Sequence, residues 1–199
     1  MANLYFRYGA MGSGKSTALM QVNYNYKEKG FNTFIVKPKI DTKGDTKLVS
    51  RMGVSIEADL LIDSKDSFYN YLNIILDNIV CILVDEAQFL KEKQVKELFE
   101  IAKIYDIPVI CYGLKTNFKG KLFEGSKALL ELSDEFEELA TVCDCGKKAR
   151  FNARKVDGKF TSTGEEVIID GTSHIEYVSL CGRCYAIKVL GNTKKCKKM

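Results

Sequence analysis

An α/β fold built on a parallel sheet is predicted by three observations. Short apolar runs suited to buried strands alternate with longer segments of helical periodicity. A glycine-rich octapeptide, Gly9-Ala10-Met11-Gly12-Ser13-Gly14-Lys15-Ser16, joins the first such strand to the first such helix. A later apolar run ends on two acids, Asp85-Glu86, which puts carboxylates at the carboxyl edge of the sheet, where ligands of open α/β sheets bind.

The elements follow in order. Strands are expected at Leu4–Tyr8, Thr33–Lys37, Val80–Val84 and Pro108–Tyr112, where the runs are short and dense in apolar residues. Helices are expected between them, at Lys15–Lys29, Lys65–Leu76 and Glu92–Tyr105. Right-handed crossovers then give a parallel sheet. The segment Thr46–Ile62 (Val49, Val54, Ile56, Leu60, Leu61, Ile62) has room for further short strands whose places the pattern leaves open. Beyond about residue 140 short β-like runs, Ala149–Val156, Val167–Ile169 and Glu176–Leu180, lie between glycine-bearing turns and cysteine pairs. The expected organisation is a nucleotide-binding α/β domain over residues 1–140, a small zinc-held β subdomain over 141–191, and a frayed basic tail over 192–199.

Bulk properties narrow the class. A chain of 199 residues is long enough for one domain with a substantial core plus an appendage. Hydrophobic content of 46% and charged content of 28% are globular values and exclude a disordered chain. The net charge of +4 is modest, and part of it sits in Lys194, Lys195, Lys197 and Lys198, which read as a solvated end and not as a nucleic-acid patch. No apolar stretch suits a signal peptide or a membrane span, so a cytoplasmic location is expected.

The glycine-rich segment has the form of a phosphate-binding loop. Backbone N–H groups opening into a helix N-terminus surround two phosphates. Gly9 and Gly14 allow turns and close approach that a Cβ would block. Lys15 would reach the β/γ-phosphates and the Ser16 hydroxyl would bind Mg²⁺. A nucleoside triphosphate is the expected ligand, held by residues Gly9 through Thr17. If the strand ending at Val84 neighbours the first strand, Asp85 holds Mg²⁺ opposite Ser16, and Glu86, one residue on, faces the acceptor. Phosphoryl transfer asks little nucleophile activation, so a positioned carboxylate is enough to orient a hydroxyl and take its proton.

Seven cysteines divide into three groups. Cys81 and Cys111 lie inside apolar runs and read as small buried hydrophobes, and Cys196 stands alone in the tail. Cys143-Asp144-Cys145 and Cys181-Gly182-Arg183-Cys184 form two close pairs, which in a chain without an export signal argue for zinc over disulfides. Four thiolates close a tetrahedral site, so the metal is structural. His174, the one histidine, reads as a loop residue and neither a ligand nor a base.

Taken in order, Gly9–Ser16, Lys37-Pro38-Lys39-Ile40-Asp41, Asp85-Glu86-Ala87-Gln88-Phe89, Gly113-Leu114, Asn117-Phe118-Lys119-Gly120, Phe123, the cysteine pairs and Tyr177 between them resemble the type II thymidine kinases, the cytosolic, bacterial and poxviral kind. The resemblance runs from Gly9 to Tyr185. It implies a RecA-like P-loop NTPase core and a zinc-binding β subdomain whose lasso loop covers a deoxynucleoside. It implies Lys15, Ser16, Asp85, Glu86, Ala87 and Gln88 around the triphosphate, with Glu86 as general base on the 5′-hydroxyl and Asp41 and Lys43 near phosphate or metal. Phe89, Leu114, Phe118 and Phe123 match walls of the base pocket and Met11 its floor. Tyr177 matches the lasso tyrosine, and backbone groups of Val167, Ile168, Ile169, Asp170 and Gly171 would hydrogen-bond thymine. Cys143, Cys145, Cys181 and Cys184 match the zinc ligands. The implied activity is ATP-dependent phosphorylation of thymidine, and of deoxyuridine, for salvage, by a homotetramer under dTTP feedback. Four features depart from the family pattern: Lys115 where aspartate is usual, Lys43 where arginine is usual, a first cysteine pair one residue short, and one extra residue between Val167 and Tyr177.

The residues alone also admit plainer readings. Phe118 and Phe123 could be ordinary core, and Tyr177 a cross-strand surface aromatic. A P-loop ATPase whose zinc subdomain acts on nucleic acid is the competing function, but the basic residues are dispersed and form no aromatic–basic stripe. A guanine-nucleotide switch lacks its N-K-x-D segment.

Overall fold

The computed structural model describes residues 1–40, 46–50, 52–164 and 174–191. Asp41, Lys43, Val167 through Gly171, Cys196 and the tail from 192 lie outside the described residues. The chain runs β1 (Leu4–Tyr8), α1 (Lys15–Glu28), β2 (Asn32–Pro38), β3 (Lys47–Val49), β4 (Ser55–Glu57), β5 (Leu60–Ile62), α2 (Leu72–Asn78), β6 (Ile79–Val84), α3 (Glu92–Ile104), β7 (Val109–Gly113), α4 (Glu124–Leu132) and β8 (Glu135–Glu138). Then follow β9 (Thr141–Val142), β10 (Lys148–Ala149), β11 (Phe151–Val156), β12 (Lys159–Thr161), β13 (Ile175–Leu180) and α5 (Gly182–Lys188). Single 3₁₀ turns lie at Phe68–Tyr71 and Ala87–Phe89.

Six strands form one sheet in the order β5-β2-β6-β7-β1-β8, every pair parallel. Both faces are covered, which explains why β6 and β7 read as unbroken apolar runs. Alternation sorts their side chains. Ile82 and Val84 point with Leu4, Phe6, Val109 and Cys111 toward Ile75 of α2, Leu98 and Ile101 of α3 and Leu129 of α4. Cys81, Leu83, Ile110 and Tyr112 point the other way, onto Leu19 and Met20 of α1 and Leu48 of β3. Cys81 and Cys111 are fully buried, and burial pushes both thiols up, Cys81 to about 12, so they serve as apolar filling.

Three differences from the sequence reading have local causes. The helix expected from Lys65 begins as a 3₁₀ turn at Phe68, because Asp63, Asp66 and Ser67 cap a turn in front of it. Glu97 of α3 fixes that turn, accepting from Ser67 Oγ at 2.9 Å and Phe68 N–H at 2.7 Å. Helix α4 was not expected; its nine residues carry Gly125 and Ser126 in the first turns, which mask the periodicity. Strand β8, Glu-Phe-Glu-Glu, has no apolar alternation and joins β1 with Arg7 bound to Glu137 at 2.7 Å. The open stretch Thr46–Ile62 resolves into the antiparallel hairpin β3–β4 and the edge strand β5.

The remaining elements pack separately. A three-stranded antiparallel sheet, β12-β11-β13, and the hairpin β9–β10 enclose Ala149, Ala153, Leu180 and Tyr185. The Phe151 and Tyr185 rings stack at 4.8 Å. Tyr185 Oη donates to the Phe118 carbonyl at 2.7 Å, tying this sheet to the loop after β7.

Gly125 seats α4 on the turn that follows Asp85-Glu86. A Cβ there would lie 2.5 Å from the Ala87 carbonyl oxygen and 2.8 Å from that of Leu90. Helix propensity alone favours alanine by about 1 kcal/mol. Backbone carbonyls cannot swing aside as side chains do, so the clash wins. Gly125→Ala is expected to cost about 1–3 kcal/mol, read as a lower thermal midpoint. An unchanged or raised midpoint contradicts this packing.

Candidate active site

β1 runs into the glycine-rich loop, whose shape is set by backbone crowding. A Cβ at Gly9 would meet Ser13 Oγ at 2.4 Å and the Leu139 carbonyl at 2.5 Å. Gly12 (φ 76°) and Gly14 (φ 78°) take left-handed conformations that a side chain would strain. Gly14 caps α1 without any side-chain hydrogen bond, so the first-turn N–H groups face outward with the positive end of the helix dipole. Buried Lys15 arches back over the loop, its Nζ donating to the carbonyls of Gly9 (3.3 Å) and Ala10 (3.2 Å).

β1 and β6 are not neighbours, contrary to the condition attached to the sequence reading. β7 lies between them. The two motifs meet all the same, because Ser16, in the first turn of α1, reaches back over the sheet edge. Its Oγ donates to Asp85 Oδ2 at 2.8 Å. Asp85 is buried, and its other oxygen, Oδ1, has no hydrogen-bond partner among the described residues. A hydroxyl beside a half-satisfied carboxylate is a hard-oxygen donor set that fits Mg²⁺. Burial pushes the Asp85 carboxyl up to about 7, with the neighbouring Glu86 charge acting in the same direction.

Glu86 is one of three non-glycine residues with positive φ (48°) among the described residues. That left-handed residue turns the chain between the end of β6 and the 3₁₀ turn at Ala87–Phe89. Gln88, itself buried, fixes its direction. Leu114 N–H donates to Gln88 Oε1 at 2.9 Å, which forces the amide nitrogen toward Glu86; Nε2 donates to Glu86 Oε2 at 2.5 Å. Gly113 is required beside it, since a Cβ there would sit 2.8 Å from Gln88 Oε1.

These groups open into a cleft of about 250 Å³ lined by Met11, Gly12, Gly14, Lys15, Ser16, Thr17, Asp85, Glu86 and Leu114. Its far wall is the β3–β4 hairpin, from Lys47 to Ser50 and Met52. The sequence reading missed this wall, because so short a hairpin carries no periodic signal. Its support is the buried Lys37, whose Nζ donates to the Lys47 carbonyl at 3.2 Å.

The aromatic candidates fall into two groups. Phe89 and Phe123 meet edge to face at 5.8 Å. Phe118 is buried, with the Arg154 guanidinium 3.7 Å from its ring centroid. Arg154 Nε and Nη2 donate to the Tyr177 hydroxyl at 3.0 and 2.7 Å. Tyr177 is thus a cross-strand partner of Arg154 and is linked through it to Phe118. Sequence spacing gave no sign of Arg154. His174 lies exposed in the turn before β13, paired with Asp157 at 2.9 Å, as a loop residue would be.

Cys143, Cys145, Cys181 and Cys184 converge, with all four sulfurs within 4.8 Å of one another. The edge of a tetrahedron with metal–sulfur bonds of about 2.3 Å is about 3.8 Å, and the Cys145–Cys181 pair is 3.5 Å apart. The donor set fits zinc. The short first pair is accommodated by a tight turn: Gly146 takes φ 80° and its N–H donates to the Cys143 carbonyl at 2.7 Å. The Cys184 N–H draws the Cys181 thiol down to about 7, while hydrogen bonding with Cys145 and Cys181 pushes Cys184 up to about 12. A divalent cation stabilises all four as thiolates.

Asp85 makes a signed prediction. Its folded pKa stands above its ordinary value, so its burial is tolerated below about pH 4 and weakens the fold as pH rises toward about 7. Without nucleotide or Mg²⁺, Asp85→Asn should gain stability relative to the wild type across that interval, the difference levelling off above it. Parallel pH profiles in urea unfolding contradict the assignment.

The comparisons with known proteins meet this geometry. The sequence profile of the thymidine kinase family matches residues 2–185. A thymidine kinase of Enterobacteria phage T4 is 46% identical over 185 residues, covering 91% of this chain and 94% of that protein. One from Mesorhizobium japonicum is 46% identical over 186 residues, covering 92% and 90%. One from Pasteurella multocida is 44% identical over 192 residues, covering 95% and 99%. With the phosphate loop, the strand-end acids and the cysteine cluster inside the matched span, the chain belongs to the thymidine kinase family.

Proposed function

We propose that this protein transfers the γ-phosphoryl group of ATP to the 5′-hydroxyl of thymidine, and of deoxyuridine, giving the monophosphate and ADP. The observation that carries this reading is the convergence of Lys15, Ser16, Asp85 and Glu86 on one cleft in a chain whose relatives are named thymidine kinase. Residues Gly9 through Thr17 bind the triphosphate, with Lys15 on the β- and γ-phosphates. Ser16 and Asp85 would hold Mg²⁺, which would offset the charge that spreads over the transferring group. Glu86 accepts the proton of the 5′-hydroxyl as the oxygen attacks, in the direction that Gln88 gives it. Asp41 and Lys43, outside the described residues, are assigned to the phosphates or metal by the family resemblance alone.

The base lies against Phe89, Leu114, Phe118 and Phe123, with Met11 below and Tyr177 and the backbone of Val167–Gly171 closing over it. Aromatic walls suit a flat pyrimidine, and backbone groups read its polar edge. One methyl separates thymidine from deoxyuridine, a difference worth only about 1–3 kcal/mol, so both are accepted. Zinc held by the four cysteines would be structural, since four thiolates would leave no coordination position open for catalysis. dTTP inhibits as a two-site ligand, thymidine half in the base pocket and phosphates in the loop, and the working form is a homotetramer. No helix among the described residues is long and apolar enough to cross a membrane.

Glu86→Gln keeps the shape and loses the base. It should lower kcat by about 10²–10⁴-fold while ATP affinity stays within a few-fold of the wild type. Near-wild-type kcat sinks the base assignment.

A further inference from the structure

Two side chains of the three-stranded antiparallel sheet hold the glycine-rich loop at Met11. Met11 N–H donates to Asn152 Oδ1 at 2.8 Å, and the Met11 carbonyl accepts from Ser179 Oγ at 2.5 Å. Asn152 of β11 and Ser179 of β13 are partners in register across the antiparallel ladder. One cross-strand pair therefore offers an acceptor and a donor, side by side, to both backbone polar groups of one loop residue. The effect is that of a further strand pairing made by side chains.

The orientation of the Asn152 amide is settled by its neighbours. Met11 N–H is a donor and must face the oxygen, and Asn152 Nδ2 donates in turn to the Thr116 carbonyl at 3.1 Å. Asn152 is 4% exposed, so both contacts are made out of water, where an unpaired amide group is costly. Thr116 opens the turn that carries Phe118. A single side chain thus ties the phosphate loop to the turn that carries Phe118.

The loop needs such an anchor. Gly12 and Gly14 follow Met11 in left-handed conformations and give the segment wide backbone freedom. Freedom lost on binding counts against affinity, so a loop already ordered binds more tightly. On the other side, Ser179 stands two residues before Cys181, with β13 ending between them at Leu180 and Cys181 capping α5. The cysteine cluster clamps the end of the strand that presents the Ser179 hydroxyl.

We propose that Asn152 and Ser179 are positioning residues that preorganise the phosphate loop through Met11, so that donor binding depends on the cysteine-clamped sheet. The proposal rests on reading Gly9–Ser16 as the donor phosphate site. Ser179→Ala removes the donor hydroxyl, and Ser179→Thr retains one on a strand-favouring side chain. With the full-length protein, the readouts are the Kd for a non-hydrolysable ATP analogue and hydrogen exchange of the Met11–Gly14 amides, with thermal midpoint and bound zinc measured alongside.

In Ser179→Ala the analogue Kd should rise about fivefold, the loss expected for one hydrogen bond. Loop amides should exchange faster, with midpoint and zinc content near wild type, and Ser179→Thr should restore both readouts. Asn152→Ala, which removes both contacts, should weaken the analogue further. Lys15→Ala serves as the control for the underlying reading. If Lys15→Ala abolishes analogue binding while Ser179→Ala leaves binding and loop exchange unchanged, the positioning role is overturned and the donor site stands. If Lys15→Ala leaves binding intact, the donor-site reading itself fails and the positioning role with it.

Discussion

The site depends on one contact, the 2.8 Å hydrogen bond from Ser16 Oγ to Asp85 Oδ2. It joins the start of α1 to the end of β6 across a sheet in which β7 separates the two motif-bearing strands. A sheet with every pair parallel delivers all its carboxyl ends to one edge, so loops far apart in sequence open onto the same cleft. Burial on both faces makes that edge the place where polar chemistry concentrates. Asp85 shows the cost: a carboxyl buried at the end of a hydrophobic strand, one oxygen satisfied and the other not, its pKa driven up to about 7. A divalent cation held there would supply the missing partner.

Around that contact the fold constrains direction more than distance. The left-handed Glu86 turns the chain sharply after β6, and Gln88 holds the carboxylate from the side. Gly113 and Gly125 then make room, one for the Gln88 amide and the other for the carbonyls of the turn itself. Three residues on three elements, Gln88, Gly113 and Gly125, thus shape the turn that carries the Glu86 carboxylate. Strain at Glu86 survives because Leu114 N–H and the packing of α4 over-determine the turn.

Much of this was legible in the sequence. β1 begins and ends where its apolar run does, and α1 starts at the lysine of the glycine-rich loop, because turn chemistry punctuates both. The cysteine pairs converge as their spacing suggested. What stayed hidden depends on distant partners. Helix α4 looks like a glycine-broken segment until the Ala87 carbonyl explains Gly125. Strand β8 carries charge where strands usually carry apolar residues, and its pairing rests on an edge contact with Arg7. Asn152, Arg154 and Ser179 belong to no motif, and their meaning appears only once an antiparallel ladder sets them against Met11, Phe118 and Tyr177. Phe118 itself is buried beneath the Arg154 guanidinium, the core placement that the residues alone also admitted.

The measurement that bears most directly on the proposed chemistry is transfer of labelled γ-phosphate from ATP, with Mg²⁺, to each of the four deoxynucleosides and deoxyuridine in turn. Label appearing in thymidine and deoxyuridine, and in none of the others, is the predicted result. Tight ATP binding with no label transferred to any nucleoside contradicts it.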